Sequence, residues 1–173
     1  MAVAIRPMRE EDLAIVARLN DAAVPAVNAL PVGELRRLAD GGWAAVAVVD
    51  GAVCGGMIAL PPGFDYRSEN YAWFSQRFIG PRAFLYVDRI VIAASSRRLG
   101  AASRLYAAAF AHARAQGFPR VTCEVNIRPA NEASLAFHQR SGFREIGQQD
   151  TCGGAKRVAL LSAASGDGPE AAP

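Results

Sequence analysis

The chain has 173 residues, 51% of them hydrophobic and 20% charged, with a formal net charge of +3. That length builds one domain with a real core, and the balance excludes a disordered chain. The charge excess is too weak to argue for nucleic acid, yet it allows a local basic patch that holds a polyanionic small ligand.

No stretch approaches the ~20 apolar residues of a membrane span. Met1 to Pro7 lacks the apolar core and cleavage site of a signal peptide. Cys54, Cys123 and Cys152 are odd in number and far apart, which fits neither a disulfide framework nor a metal-ligand spacing. They are expected to be reduced thiols of a cytoplasmic protein, Cys54 and Cys123 as small buried hydrophobes.

In chain order, Val3 to Ile5 read as a short strand. Glu10, Glu11 and Asp12 open a helical pattern, where the helix dipole favours acids. Leu13, Val16, Ala17 and Asn20 share one face of that helix, which runs to about Asp21. A loop from Ala22 to Pro31 contains Pro25 and Asn28. Pro31 starts a second short helix through Glu34, Leu35 and Leu38, stopped by Gly41-Gly42. Trp43 to Val49 and Ala52 to Leu60 form a hairpin around Asp50-Gly51.

Phe64 to Arg82 carries Phe64, Tyr66, Tyr71, Trp73, Phe74 and Phe78 with poor periodicity, and is expected to be a folded lid or short helix. Ala83 to Ile92 is the next strand. Ala101 to Gln116 is the clearest helix, ended by Gly117 and Pro119. Val121 to Asn126 is a strand, and Asn131 caps a helix from Glu132 to Arg140. Phe143 to Gln148 and Arg157 to Leu161 make a last hairpin around Thr151 to Gly154. Residues 1–162 are expected to be the domain, and 163–173 a flexible tail. The strand–helix–strand unit over residues 84–126 implies a parallel pair within a mixed α/β pattern.

The segment from Ile92 to Ala102 carries the chemistry. A strand ends, two arginines and a glycine follow, and a long helix begins. A helix start offers unpaired N–H groups and partial positive charge, for which a pyrophosphate is the natural guest. Gly100 lets backbone come close, Ala102 is nearly as small, and Arg97 and Arg98 can add charge-assisted contacts. Taken alone, the segment reads equally as a surface turn with solvated arginines.

Here the chain resembles the GNAT superfamily of acetyltransferases. Arg97-x-x-Gly100-x-Ala102 matches that family's acetyl-CoA signature, Arg/Gln-x-x-Gly-x-Gly/Ala. Asn131, Ser134, His138 and Gly142-Phe143 keep every spacing of its second signature. Tyr86 to Ile92 looks like the family's fourth strand.

The resemblance implies an α/β fold: one mixed, mostly antiparallel twisted sheet of about seven strands, splayed between strands 4 and 5, with about four helices. It implies an N-acetyltransferase that moves an acetyl group from acetyl-CoA to a primary amine of a small molecule by direct attack, with no metal. The alternative is a non-catalytic acyl-CoA-binding or sensing domain on the same fold. No nucleic-acid or membrane partner is expected, and the state is a monomer or homodimer.

By the resemblance, backbone at Val91 and Ile92 pairs with the pantetheine arm. Amides of Arg98, Leu99, Gly100, Ala101 and Ala102, beside Arg97, bind the pyrophosphate. Asn131 and Ser134 contact the cofactor. Many family members have Tyr where this chain has His138; a histidine can also protonate a leaving thiolate, or can simply pack there. Asp88 and Glu124 are candidate bases for the ammonium proton, with Asp88 favoured; each also reads as an ion-pair partner of Arg89 or Arg120. Asp88, Ile90 and Ile92 share a strand face. Five residues separate Val125 from Asn131, longer than the usual family connection, with Asn126 and Arg128 among them. On the acceptor side, Asn28, Tyr71 and Phe74, with Tyr66 and Trp73, could wall a cationic or apolar amine, or the aromatics could be core.

Overall fold

The computed structural model describes residues 2–168. Along the chain lie β1 (Val3–Pro7), α1 (Leu13–Ala22), α2 (Val32–Gly41), β2 (Trp43–Val49), β3 (Ala52–Leu60), α3 (Glu69–Arg77), β4 (Leu85–Ile92), α4 (Ala101–Gln116), β5 (Arg120–Arg128), α5 (Glu132–Arg140), β6 (Arg144–Thr151) and β7 (Lys156–Ala164). The strands form a seven-stranded sheet in the order β1-β2-β3-β4-β5-β7-β6. The pairs β1–β2, β2–β3, β5–β7 and β6–β7 are antiparallel, whereas β4 and β5 run parallel. That parallel ladder is short: Leu85 faces Val121 and Tyr86 faces Thr122. This is the expected mixed, mostly antiparallel α/β sheet, with five helices among the described residues instead of about four.

The additional helix is α3. Tyr71, Phe74 and Phe78 stand at helical spacing, while Tyr66 and Trp73 fall off that stripe and blur it. Ser68 caps the helix through its Oγ, which accepts from the Tyr71 N–H at 3.3 Å.

The backbone groups into two compact units, residues 2–60 with 87–109 and residues 61–86 with 110–168. In the first, Asp50 and Gly51 both take positive φ (49° and 81°), the backbone a tight β2–β3 turn requires. Its core includes Val16, Leu35, Leu38, Val46, Met57 and Ile58, all fully or almost fully buried. Asp12, at the entry to α1, accepts two hydrogen bonds from Arg6, at 2.6 and 2.8 Å. That pairing holds the Asp12 carboxyl below its ordinary range.

In the second unit, Tyr71 and Phe74 of α3 pack edge-on or tilted against Phe84 and Tyr86. Trp73 lies over Gly147 of β6, where a Cβ would come within 2.7 Å of the indole. A second aromatic line joins Phe110 to Phe143 and Phe143 to His138.

Several boundaries move. β5 continues to Arg128, then turns sharply: Ile127 bridges Ala130, and the Asn131 N–H returns to the Asn126 carbonyl at 3.0 Å. The long connection before Asn131 is thus mostly strand. Arg128 is bound to Asp150 and the Gly154 carbonyl. The expected tail starts too early, because Ala163 and Ala164 belong to β7, where Ala163 is buried opposite Val121. Ser165 then donates to the Pro119 carbonyl at 2.9 Å. The rest of that expected tail, residues 169–173, lies outside the described residues.

Candidate functional site

After β4 a short 3-10 turn, Ala94–Ser96, leads into extended Arg97. Arg98 and Gly100 then adopt left-handed backbone, with φ of 67° and 81°. Left-handed residues in a tight turn direct successive N–H groups into one concavity, which suits an anion. The N–H groups from Arg98 to Ser103 have no hydrogen-bond partner among the described residues; the next one, on Arg104, bonds to the Gly100 carbonyl at 3.0 Å. These donors sit at the positive end of the sixteen-residue helix α4. A Cβ on Gly100 would meet nothing within 4 Å, so the space before it is open. Arg97 and Arg98 are exposed beside it. Free amides, helix polarity, open space and two arginines together fit a pyrophosphate.

Just upstream, Val91 is buried and Ile92 half-buried. The Ala93 N–H donates to the Cys54 carbonyl at 2.8 Å, which ties this end of β4 to β3. Asp88, Ile90 and Ile92 alternate with buried Val87, Arg89 and Val91. Asp88 Oδ2 accepts from Arg89 Nε at 2.7 Å, and both side chains are almost wholly buried. Arg89 Nη1 donates to Asn20 Oδ1 at 2.7 Å, and Asn20 Nδ2 donates to the Asn28 carbonyl at 3.1 Å. Asn28 itself is exposed, and its carbonyl is the group that Asn20 meets.

In the second unit, α5 begins at Asn131, whose Oδ1 accepts from the Ser134 N–H at 3.2 Å. His138, one helical turn on, is 4% exposed. Its Nδ1 lies 2.7 Å from the Ser134 carbonyl, which assigns the proton to that nitrogen in the neutral ring. The ring meets Phe137 and Phe143 edge-on. Burial pushes the His138 pKa down, opposed by the bond to Ser134. Glu124 Oε1 accepts from Tyr86 Oη at 3.1 Å.

Tyr71 and Phe74 require a correction. Phe74 has no exposed surface and Tyr71 has 4%. The Tyr71 hydroxyl donates to the Pro61 carbonyl at 2.6 Å and accepts from the Phe64 N–H at 2.9 Å. Burial raises its pKa. Both residues are core of the second unit and present no wall to an acceptor, because the rings of Phe84 and Tyr86 cover them.

Thus the first unit holds Asn28, Asp88, Val91, Ile92 and the turn from Arg97 to Ala102. The second holds Tyr71, Phe74, Glu124, Asn131, Ser134 and His138. Two polar residues escaped sequence reasoning as parts of a site, Asn20 and Arg89. The signal was present, since Asn20 sits on the apolar face of α1 with Leu13, Val16 and Ala17, all buried. Among the described residues no cluster of His, Cys, Asp or Glu could hold a metal ion. No described helix is long and apolar enough to cross a membrane.

No curated protein matches the chain in sequence. Solved structures resemble it throughout. Ard1 from Thermoplasma volcanium superposes with a TM-score of 0.76 at 18% identity, covering 95% of this chain and 98% of that one. The ribosomal-protein-S18-alanine N-acetyltransferase from Escherichia coli gives 0.71 at 12% identity, covering 94% of each chain. An N-acetyltransferase from Staphylococcus aureus Mu50 gives 0.69 at 22%, covering 95% and 99%. At these identities the likeness shows the fold. The sequence pattern goes further: residues 10–143, which include both signatures, match the Acetyltransferase (GNAT) family. The chain belongs to that family.

Proposed function

We propose that the protein is an acetyl-CoA-dependent N-acetyltransferase that transfers an acetyl group to the primary amine of a small molecule, by direct attack in a ternary complex. The observation that carries this reading is the run of amides from Arg98 to Ser103 that have no partner among the described residues, opening on the bare face of Gly100. These amides, with Arg97 and Arg98, hold the pyrophosphate. Backbone at Val91 and Ile92, just upstream in the same unit, aligns the pantetheine. Acetyl-CoA supplies the activated acetyl thioester.

The acceptor must lose a proton before its nitrogen can attack. Asp88 is the first candidate to take it. Its Oδ2 is fixed by Arg89, whereas Oδ1 has no hydrogen-bond partner among the described residues. Glu124, oriented by Tyr86, is the second. His138 stands where many family members carry the acid. Its Nδ1 proton is held by Ser134, so donation would come from a proton on Nε2, a form that burial disfavours. An acid role for His138 therefore predicts turnover that falls as pH rises past its lowered pKa, a limb absent in His138→Phe. The described cysteines form no disulfide, which supports a cytoplasmic location in this reading.

The test is a calorimetric titration with CoA, followed by thiol release across amino acids, polyamines, amino sugars and peptide amines. CoA should bind, and Gly100→Glu should weaken it by about 100-fold through like-charge repulsion at the amides. Gly100→Glu adds only backbone strain of about 1 kcal/mol, because the space is open. An unchanged CoA affinity in that variant would sink the reading. CoA binding without turnover on any amine would mark the protein as a non-catalytic acyl-CoA sensor.

A further inference from the structure

Away from the cofactor turn, the first unit holds a cleft of about 280 Å³ where two connections of the chain meet. One is Met8-Arg9-Glu10, between β1 and α1. The other is Asp40-Gly41-Gly42-Trp43, where α2 ends and β2 begins. Leu13 of α1 also lines the cleft. It lies at the far end of β3 from the cofactor turn. The Ala93 N–H, just before that turn, donates to the Cys54 carbonyl of β3, whereas Trp43 pairs with Ala59 of the same strand. Five strand residues separate the two points, about 17 Å.

Backbone contacts fix both walls. The Met8 N–H donates to the Ala44 carbonyl at 3.0 Å, and the Arg9 N–H donates to Asp12 Oδ2 at 2.8 Å. Gly42 passes so close to β3 that a Cβ there would overlap the Ala59 carbonyl. The charged side chains of the lining are used unequally. Glu10 is taken up by Arg36. Arg9 meets Glu11 at 3.4 Å in an exposed pair of the kind that contributes little. Asp40 is exposed and has no hydrogen bond or ion pair among the described residues. Arg9 and Asp40 thus line one cleft without pairing to each other. Beside them lie the half-buried Trp43 and Met8 and the buried Leu13.

Opposite charges kept apart in one cleft match a ligand that carries both. The volume falls at the low end for small-molecule sites, which start at about 300 Å³, so that ligand is small. We propose that the cleft binds a free apolar α-amino acid of about the size of leucine. Its ammonium meets Asp40, its carboxylate meets Arg9, and its side chain rests on Met8, Leu13 and Trp43. Both ends then gain charge-assisted hydrogen bonds, and an indole beside an ammonium adds attraction. The site stands independently of the acetyltransferase reading. Its distance along β3 separates it from the cofactor turn, so the amino acid is a second ligand of the protein and not the acceptor of the acetyl group.

The test titrates L-leucine into the full chain, followed by calorimetry and by amide NMR. Binding with a Kd of about 1 mM or tighter is expected, with shifts at residues 8–13 and 39–44. N-acetyl-leucine lacks the ammonium and leucinamide lacks the carboxylate. Each should bind about tenfold more weakly, the loss of one charge-assisted bond. Asp40→Asn should weaken leucine by about tenfold, and so should Arg9→Gln, which keeps the backbone bond to Asp12. Both positions are exposed, so the melting temperature should hold in both variants. Saturating CoA should leave leucine affinity within about twofold. The proposal is overturned if leucine does not bind, or if its affinity is the same in Asp40→Asn and Arg9→Gln as in the wild type. Equal binding of N-acetyl-leucine overturns it, as do shifts confined to residues 97–104 or displacement of leucine by CoA. Failure of CoA itself to bind would count against the acetyltransferase reading alone, and the leucine titration would still judge the cleft.

Discussion

The turn at 97–102 and the aromatic segment at 64–82 treat their polar groups in opposite ways. Among the described residues, the turn leaves amides from Arg98 to Ser103 without partners, and it presents no side chain at Gly100. The aromatic segment uses its groups internally: Tyr71 binds Pro61 and Phe64, Asn70 accepts from Gln149, and Glu69 accepts from the Cys152 N–H. In the proposed reading, the site is marked by unused donors on bare backbone. Residue types that suit a ligand pocket, such as Tyr and Trp, say little until their burial is known.

The comparison breaks most visibly at Phe74. If the segment is core, Phe74→Ala opens a cavity under fully buried rings and costs about 3–5 kcal/mol of stability, while CoA affinity stays unchanged. Denaturant unfolding and a CoA titration read the two together. A small stability loss with a large rise in acceptor KM would return Phe74 to the acceptor wall.

The arginines test the other region. Replacing Arg97 by Ala and Arg98 by Gly removes both charges, and glycine suits the left-handed backbone at 98. CoA affinity should fall by about tenfold, with a weaker salt dependence and no loss in melting temperature. An unchanged affinity would assign the pyrophosphate to the amides alone.

Much of this was legible in the residues. The hairpin β2–β3 followed from Asp50-Gly51 between apolar runs, and α4 and α5 from Gly117 and Asn131 at their ends; these elements occupy the expected bounds. The two signatures located the turn and α5. What escaped was long-range. Tyr71 and Phe74 have the same local sequence whether they face a pocket or Phe84 and Tyr86, and only the packing of α3 decides. Asn20 appeared as a polar residue on an apolar face, but its partners Arg89 and Asn28 come from other segments, and no spacing rule joins them. The overrun of β5 to Arg128 likewise depends on pairing with β7, not on local propensity.

His138 sharpens the comparison through pH. Its folded pKa is lowered by burial, so just below about pH 6.5 the unfolded chain binds the proton that the folded chain excludes. Stability is therefore complete above that pH and declines as pH falls toward the lowered pKa, below which the slope vanishes. Burial lowers His112 in the same direction. Denaturant unfolding at stepped pH should show this decline in the wild type and a shallower one in His138→Phe, by at most one proton. Equal slopes would mean that His138 opens to water before it titrates.

The smallest effect concerns how helices begin. α3 and α5 start on side-chain caps, Ser68 and Asn131, each accepting an N–H of its own first turn. α4 starts after Gly100, which has no side chain to offer. Ser68→Ala should cost about 1 kcal/mol and quicken amide exchange in the first turn of α3, with CoA affinity untouched. A cap could not simply be added to α4 in the same way. Capping side chains fold back from extended backbone, and Gly100 is held at a φ of 81°. The left-handed backbone at Gly100 thus keeps the position before the helix from closing off the amides that follow it.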